Sequence, residues 1–308
     1  LCFGGAEANV AAALAQFGAP VELVSVLPDN DLGVAARRHL RGLGIGLAHC
    51  RQASGRMGLY FMATGAVMRP SNVLYDRADS AFAMTAPDSY DWPTILRDAA
   101  WLHISGITPA LGKATAEAAL AAVAAARRLG VKVSFDGNYR AQLWRRWSGD
   151  GPAILARLLA DADLAFIDQR DIALILGRQF AGEADQVQAA AREAAFATFP
   201  NLAIIAATRR QQRQVADQSL SASAACRDGK VVHIAPVEMS HVIDRIGGGD
   251  AFAAGFLYSL WAGGGLQQAI DFALTAAVLK HSIPGDMLLA RQGEVLDLMA
   301  GEGLDVRR

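Results

Sequence analysis

The sequence predicts an α/β fold, a three-layer α/β/α sandwich around a mostly parallel sheet, and residues 1–308 are enough for one large domain of this kind or two smaller ones. Three observations predict it. Helix-period segments alternate with short apolar strand-like runs, and glycines stand where those helices stop. One segment, 55–79, breaks the rhythm, with two strand-like runs and no helix between or after them. That alternation is the pattern of βα units, which pack helices on both faces of a sheet.

The elements follow in order. Ala6 to Phe17 reads as a helix closed by Gly18, and Val21 to Leu27 as a strand. Asp31 to Leu43 is helical with Gly44 behind it, Trp101 to Ser105 is a strand, and the alanine-rich helix Ala114 to Leu129 stops at Gly130. Strand Val131 to Phe135, helix Ala153 to Leu159, strand Leu164 to Ile167, helix Gln186 to Thr198 and strand Leu202 to Ala207 come next. Two long helices, Ala251 to Trp261 and Gln267 to His281, end the pattern. In 55–79, Leu59 to Met62 and Val73 to Tyr75 form either a β flap over the sheet, able to hold a substrate and exclude water, or an edge hairpin.

Composition narrows the partners. With 308 residues, 53% of them hydrophobic, the chain can bury a sizeable core. Its 29 Lys and Arg against 30 Asp and Glu give a net charge of −1 with no long run of one sign, which argues against nucleic acid. Cys2, Cys50 and Cys226 are far apart and have no zinc-ligand spacing, so a reducing cytoplasm is expected. The longest uncharged apolar run, Ala251 to Leu266, is shorter than the ~20 residues of a membrane helix and is broken by glycines. The chain opens at Leu1 without a methionine, and the natural N-terminus is expected upstream.

The run Asp244-Arg245-Ile246-Gly247-Gly248-Gly249-Asp250-Ala251-Phe252 carries the chemistry. Glycines let a backbone approach a ligand closely, and the first N–H groups of the helix behind them favour an anion. Asp250 beside such an anion hole suits a base that takes a proton from an attacking hydroxyl, the arrangement of a kinase acting on an alcohol. The plainer reading is a flexible turn with Asp250 as helix cap. Near the other end, Gly4-Gly5-Ala6-Glu7-Ala8-Asn9 places two glycines at a helix start and an amide one turn in. Asn9 can bond a polyol hydroxyl there, or simply cap the helix. Gly106 to Ala114 is one residue too long between glycines for a Walker A loop, Gly42, Gly44 and Gly46 miss the dinucleotide spacing, and His103 and His233 read as structural.

With both motifs in order, the chain resembles the ribokinase/PfkB carbohydrate kinases over nearly its whole length. Asp244, Gly247, Gly249 and Asp250 match the family's D-x-x-G-A-G-D, with Gly248 in place of alanine. The resemblance implies a ribokinase-like sandwich with a β lid at 55–79, and a first core strand and part of the flap preceding Gly4. It implies Asp250 as base and the N–H groups of Gly247, Gly248 and Gly249 as the anion hole, where glycine at 248 serves as well as alanine because the contact is backbone.

Within the family the details look like 2-keto-3-deoxygluconate kinases: Gly4 to Asn9, Leu74-Tyr75-Asp76-Arg77 with Ser80-Ala81, Asp136-Gly137-Asn138-Tyr139-Arg140 with Leu143-Trp144, and Lys280-His281-Ser282-Ile283-Pro284-Gly285-Asp286. This resemblance implies ATP-dependent phosphorylation of 2-keto-3-deoxygluconate to its 6-phosphate. Gly4, Gly5, Asn9, Tyr60, Arg77, Asn138 and Arg140 would bind the sugar acid, Arg77 and Arg140 forking onto its carboxylate and Tyr60 covering it. Thr208, Gly247, Gly249 and His281 would meet the nucleotide. Mg²⁺ would lie near Asp168 and Asp171, where the family carries N-x-x-E, although a helix cap explains Asp168 as well. A monovalent cation near Asp244 and a homo-oligomer are further expectations. Ala207-Thr208-Arg209-Arg210 lacks the glycines of the family's T-x-G-x-x-G, and its arginines read as ATP contacts or a solvated basic loop. A kinase for fructose, ribose or another sugar acid, and a non-catalytic sugar-binding protein, are the alternatives.

Overall fold

The computed structural model describes residues 2–301. Its first half contains α1 (Ala6–Gln16), β1 (Ser25–Pro28), α2 (Asp31–Gly42), β2 (Cys50–Ala53), β3 (Leu59–Ala63), β4 (Asn72–Asp76), α3 (Trp92–Ile95), β5 (Trp101–Ser105), α4 (Lys113–Leu129), β6 (Lys132–Asp136) and α5 (Ala141–Arg146). The second half contains α6 (Gly151–Ala160), β7 (Leu164–Phe166), α7 (Gln169–Leu176), α8 (Ala184–Thr198), β8 (Ile204–Gln212), β9 (Gln218–Cys226), β10 (Val231–Met239), α9 (Gly248–Trp261), α10 (Leu266–Lys280) and α11 (Gln292–Met299).

The central sheet has the order β10-β9-β8-β7-β6-β5. It is parallel from β5 to β8 and antiparallel from β8 to β10. Successive residues of β8 separate the two helical layers. Ile205 packs with Val123, Leu155, Leu158 and Ala191 of α4, α6 and α8. Ala206 packs with Val10 of α1, Phe252 and Phe256 of α9 and Ile270 of α10. Phe166 of β7 meets Phe252 and Phe256 edge-on at 6.0 and 5.8 Å, so three aromatic rings fix α9 on the sheet.

A third apolar cluster, with Ala12 of α1, Leu27 of β1, Ala36 and Leu40 of α2 and Leu47, carries the small parallel pair β1-β2. A cavity of about 950 Å³ lies between β1 and β5, lined by Val24, Val26, Leu102 and Ile104, and reaches Gly5 and Glu7. The flap is present as the antiparallel pair β3-β4, with Tyr60 opposite Tyr75 and Phe61 opposite Leu74. None of the helices among the described residues is long and apolar enough to cross a membrane.

Several elements differ from the sequence-based expectation. The strand expected over Val21 to Leu27 is confined to Ser25–Pro28 and pairs with β2, which sequence did not indicate. Strand β8 runs past Ala207 to Gln212, and β9 and β10 extend the sheet beyond the expected strands. The β9 sequence is mostly serine and alanine and buried on both faces, so it shows neither the alternation nor the β-branched residues that mark a half-exposed strand. The short helices α3, α5 and α7 also escaped the periodicity, which needs more turns to register.

Helices α9 and α10 pack closely because Gly255 lies against α10: a Cβ there would stand 2.8 Å from Ala273 Cα. Gly255→Val is expected to destabilise the fold by about 1–3 kcal/mol through overpacking. Urea denaturation of wild type and variant checks this, a lower midpoint with unchanged slope being the expected result.

Candidate active site

The loop before α9 is stitched to the loop after α10. The N–H groups of Ile243 and Asp244 donate to the His281 carbonyl at 2.9 and 3.3 Å. Asp244 then binds both loops through its carboxylate, Oδ1 accepting from Ile246 N at 2.9 Å and Oδ2 from Gly285 N at 3.0 Å. Gly247 enters the helix with φ 77° in the left-handed region, and a Cβ on it would stand 1.8 Å from the Asp286 carbonyl oxygen. Only glycine meets both conditions. The Gly248 N–H turns back to the Arg245 carbonyl at 3.3 Å, and the first N–H groups of α9 then face away from the body of the helix.

Glycine at 248 is not equivalent to alanine in this chain, contrary to the expectation. A Cβ there would stand 2.8 Å from His281 Cε1, and His281 is 2% exposed, so the ring has little room to yield. His281 Nδ1 lies 2.6 Å from the Ala277 carbonyl, which only accepts, so Nδ1 carries the proton and donates. Nε2 is then a buried acceptor without a partner among the described residues. Burial holds the imidazole below its ordinary pKa, with Arg210 and Lys280 adding to the effect. A neutral acceptor cannot donate to a phosphate oxygen, so His281 shapes the loop from behind.

Asp250, in the first turn of α9, accepts from Asn9 Nδ2 at 2.7 Å. This contact joins the two motifs across 241 positions of sequence. Burial pushes the Asp250 carboxyl up to about 7; the Asn9 bond opposes the rise, Glu7 and Asp286 add to it, and Arg140 opposes it. Asp286 lies against Gly4 and accepts from Tyr60 Oη of β3 at 2.5 Å. Arg77 stacks over Tyr60 and Tyr75 at 5.6 and 5.2 Å from their ring centroids. The flap thus reaches the C-terminal loop through a tyrosine and brings its arginine with it.

Arg140 is exposed and bonds its neighbour's carbonyl at 3.0 Å, with its charge felt at Asp136, Asp171 and Asp250. Asn138 has φ 35° and donates to Ser105 Oγ at 2.9 Å, which ties the end of β6 to the end of β5. Gly5 sits directly before α1 with φ 149°. Thr208 lies on the α9/α10 face of β8, and Arg210, two residues on, shares that face. Arg210 and Arg245 act on each other electrostatically and have no acidic partner within bonding distance among the described residues.

Two acids had no assigned role in the sequence reading. Glu7 is half-buried, with Oε1 accepting from Ser105 N at 3.1 Å and Thr108 Oγ1 at 2.5 Å, and desolvation raises its pKa. Asp136, at the end of β6, is pushed well above the ordinary range by burial and by the charges of Asp250 and Asp171. Both stand inside motifs that sequence singled out; their convergence on Asp250 had no signal in the chain.

Asp168 and Asp171 form a capping box at the start of α7. Asp168 Oδ1 accepts from Arg170 N and Asp171 N, and Oδ2 from the Arg170 guanidinium at 2.9 and 2.6 Å. Its oxygens are engaged by the helix start. Asp171 accepts from Asp168 N at 3.1 Å, faces Gly137, and has its carboxyl raised to about 6 by burial and the Asp168 charge. Among the described residues no group of three or more His, Cys, Asp or Glu is arranged to hold a metal ion by itself.

The raised Asp250 has a consequence for stability. Its folded pKa, about 7, exceeds the ordinary 3.8, so folding favours the protonated form. That contribution is complete at pH below 3.8 and is lost as pH rises through 7. Asp250→Asn is therefore expected to raise Tm by a few degrees at pH 8, about what relief of a buried charge allows, with the gain shrinking as pH falls toward 4. Thermal melts of both proteins across that range check it, and an equal Tm at pH 8 contradicts the buried-carboxylate assignment.

The pfkB family carbohydrate kinase model matches residues 2–289. A 2-dehydro-3-deoxygalactonokinase of Haloferax volcanii is 32% identical over 99% of this chain and 89% of its own length. The crystal structure of a 2-dehydro-3-deoxygluconokinase from Thermotoga maritima superposes with TM-score 0.90 at 36% identity, covering 97% of this chain and 89% of that one. A fructokinase from Vibrio cholerae, solved with fructose, ADP and calcium ion bound, shares the fold at TM-score 0.74 and 21% identity, covering 97% and 91%.

Proposed function

The chain belongs to the pfkB family of carbohydrate kinases, and from that membership we propose that it transfers the γ-phosphoryl of ATP to a primary hydroxyl of 2-keto-3-deoxygluconate, giving the 6-phosphate. The observation that carries the reading is Asp250, fixed by Asn9 at 2.7 Å in the first turn of α9 and tuned to a pKa of about 7. A base is most effective when its pKa lies near the working pH. Asp250 accepts the hydroxyl proton as the oxygen attacks the γ-phosphorus, and the N–H groups at the glycine loop stabilise charge on the transferring group.

Arg210 and Arg245, without acidic partners, are free to meet nucleotide phosphates beside the same loop, with Thr208 on the same face of β8. Mg²⁺, when bound mostly through water and phosphates, would supply charge neutralisation on the phosphate chain. Asp171, whose second oxygen is outside the capping bond, and Asp136 offer the hard carboxylate oxygens that such an ion takes. Arg77 and Arg140 are the carboxylate anchors, and Arg77 is already ordered by the two flap tyrosines. The similarity to kinases named for 2-dehydro-3-deoxy sugar acids supports this substrate class.

One observation favours a different sugar. Burial disfavours the Arg77 charge, opposed by Tyr75, Tyr60, Glu7 and Asp286, and a disfavoured cation suits a neutral polyol better than an anion. A coupled assay of ATP turnover with Mg²⁺ decides, comparing 2-keto-3-deoxygluconate, its galacto epimer, fructose and ribose. Strong preference for the keto-deoxy acids supports the proposal; preference for a neutral sugar keeps the kinase and discards the anchor.

Asp250→Asn is expected to lower kcat by about 10²–10⁴-fold with little change in sugar affinity, the loss typical of a removed general base. In the wild type, kcat/KM rises as pH passes upward through about 7, where Asp250 ionises. Arg77→Ala raises KM for the sugar acid about tenfold or more while leaving any neutral sugar nearly unaffected. Steady-state kinetics over pH 5–9 test these expectations.

A further inference from the structure

Lys280, the last residue of α10, is 0% exposed. Its ammonium donates to the Ile283 carbonyl at 2.8 Å, and no carboxylate lies within 4 Å of it among the described residues. Lysine is almost never fully buried without a partner, so this one calls for a reason. Its Cε stands 3.4 Å from the Cβ position of Gly247, which places the charge beneath the residue that starts the anion hole. Burial lowers its pKa, while Asp244, Asp286 and Asp250 favour the charged form.

The surrounding oxygens decide whether a dissociable cation fits near Asp244. Both Asp244 oxygens are occupied by backbone N–H groups, the His281 carbonyl takes two more, and the Asp286 carbonyl packs against Gly247. The Ile283 carbonyl is taken by Lys280 itself. A monovalent ion is bound by several carbonyl and carboxylate oxygens with free lone pairs directed inward. Here the Asp244 oxygens and the His281 and Ile283 carbonyls each already accept at least one hydrogen bond, and a positive charge is already tethered beside them on the Ile283 carbonyl. The residues present do not fit a second cation.

We propose that the Lys280 ammonium is the resident cation of the loop pair 243–247 and 281–286, so that this chain needs no dissociable monovalent cation to order its anion hole. Lys280 is then a positioning residue: it touches no reacting atom, and it acts by holding Gly247 between Asp244 and Asp286. One arm of the test rests on the kinase reading and one does not.

The first arm measures ATP turnover of the wild type in KCl, NaCl and choline chloride at equal ionic strength; rates equal within about twofold are expected. Lys280→Met, which keeps the length of the side chain and removes its charge, is expected to lose about a hundredfold in kcat, the scale of a disturbed anion hole, and to regain at least about tenfold with K⁺ or methylammonium. The second arm reads Tm, which a bound ion raises: K⁺ leaves the wild type unchanged and raises the variant by several degrees. Activation of the wild type by K⁺ of more than about tenfold, a K⁺-dependent rise in its Tm, or a Lys280→Met enzyme as active as wild type in choline chloride overturns the proposal. If the variant does not fold, the wild-type measurements decide alone. If no sugar is turned over, the proposed kinase activity falls while the Tm arm still decides the cation.

Discussion

The seating of Gly247 against the Asp286 carbonyl is the constraint on which the site depends. The chain passes there in a left-handed conformation with no space for a Cβ, so the helix α9 can start only where the 281–286 loop permits it. Asp244 and the His281 carbonyl lock the two loops in that register by four hydrogen bonds to backbone N–H groups. The aromatic contacts of Phe166 with Phe252 and Phe256 fix the body of the same helix on the sheet. A helix held at its start by backbone sterics and along its length by ring packing delivers its N-terminal dipole to one place. Asp250 is carried to that place with it.

Burial is the second organising force, and it acts with opposite results on different groups. Glu7, Asp136, Asp171, Asp250 and Asp286 are all raised above the ordinary carboxylate range, burial being the largest cause in each. For Asp250 this sets the carboxyl at about 7. For the others it lowers the negative charge gathered in that region. Lys280 and Arg77 offset part of the remainder, and both are themselves disfavoured by desolvation. The result is a region where charge is balanced by arrangement more than by direct ion pairs, consistent with none of the salt bridges among the described residues including Glu7, Asp136, Asp171, Asp250 or Asp286.

The flap is the least packed part of the site. Phe61 and Leu74, paired across β3 and β4, are 55% and 66% exposed, whereas Tyr60 and Arg77 turn toward the body. Its tip meets the turn between β8 and β9, where Val215 N–H donates to the Val67 carbonyl at 3.1 Å. Few buried apolar contacts and a handful of polar ones leave such an element free to open at low cost. The tyrosine contact to Asp286 links its position to the loop that supports Gly247.

The local pattern of glycines, alanines and apolar runs determined the long helices, the parallel strands β5 to β8 and the two strands of the flap, because those features depend on residue spacing and on the φ values glycine alone tolerates. It also placed Asp250 in the first turn of α9 and Asn9 in the first turn of α1, since a glycine loop before an apolar helix is a local arrangement. Strands β9 and β10 were illegible: a serine and alanine run takes the extended form only when neighbouring strands and two layers of helices surround it. The opposition of His281 to a Cβ at 248, the gathering of Glu7 and Asp136 around Asp250 and the burial of Lys280 beneath Gly247 were decided by tertiary structure alone. Each is a contact between segments far apart in sequence, and burial and electrostatics depend on distances through space that a linear pattern does not contain.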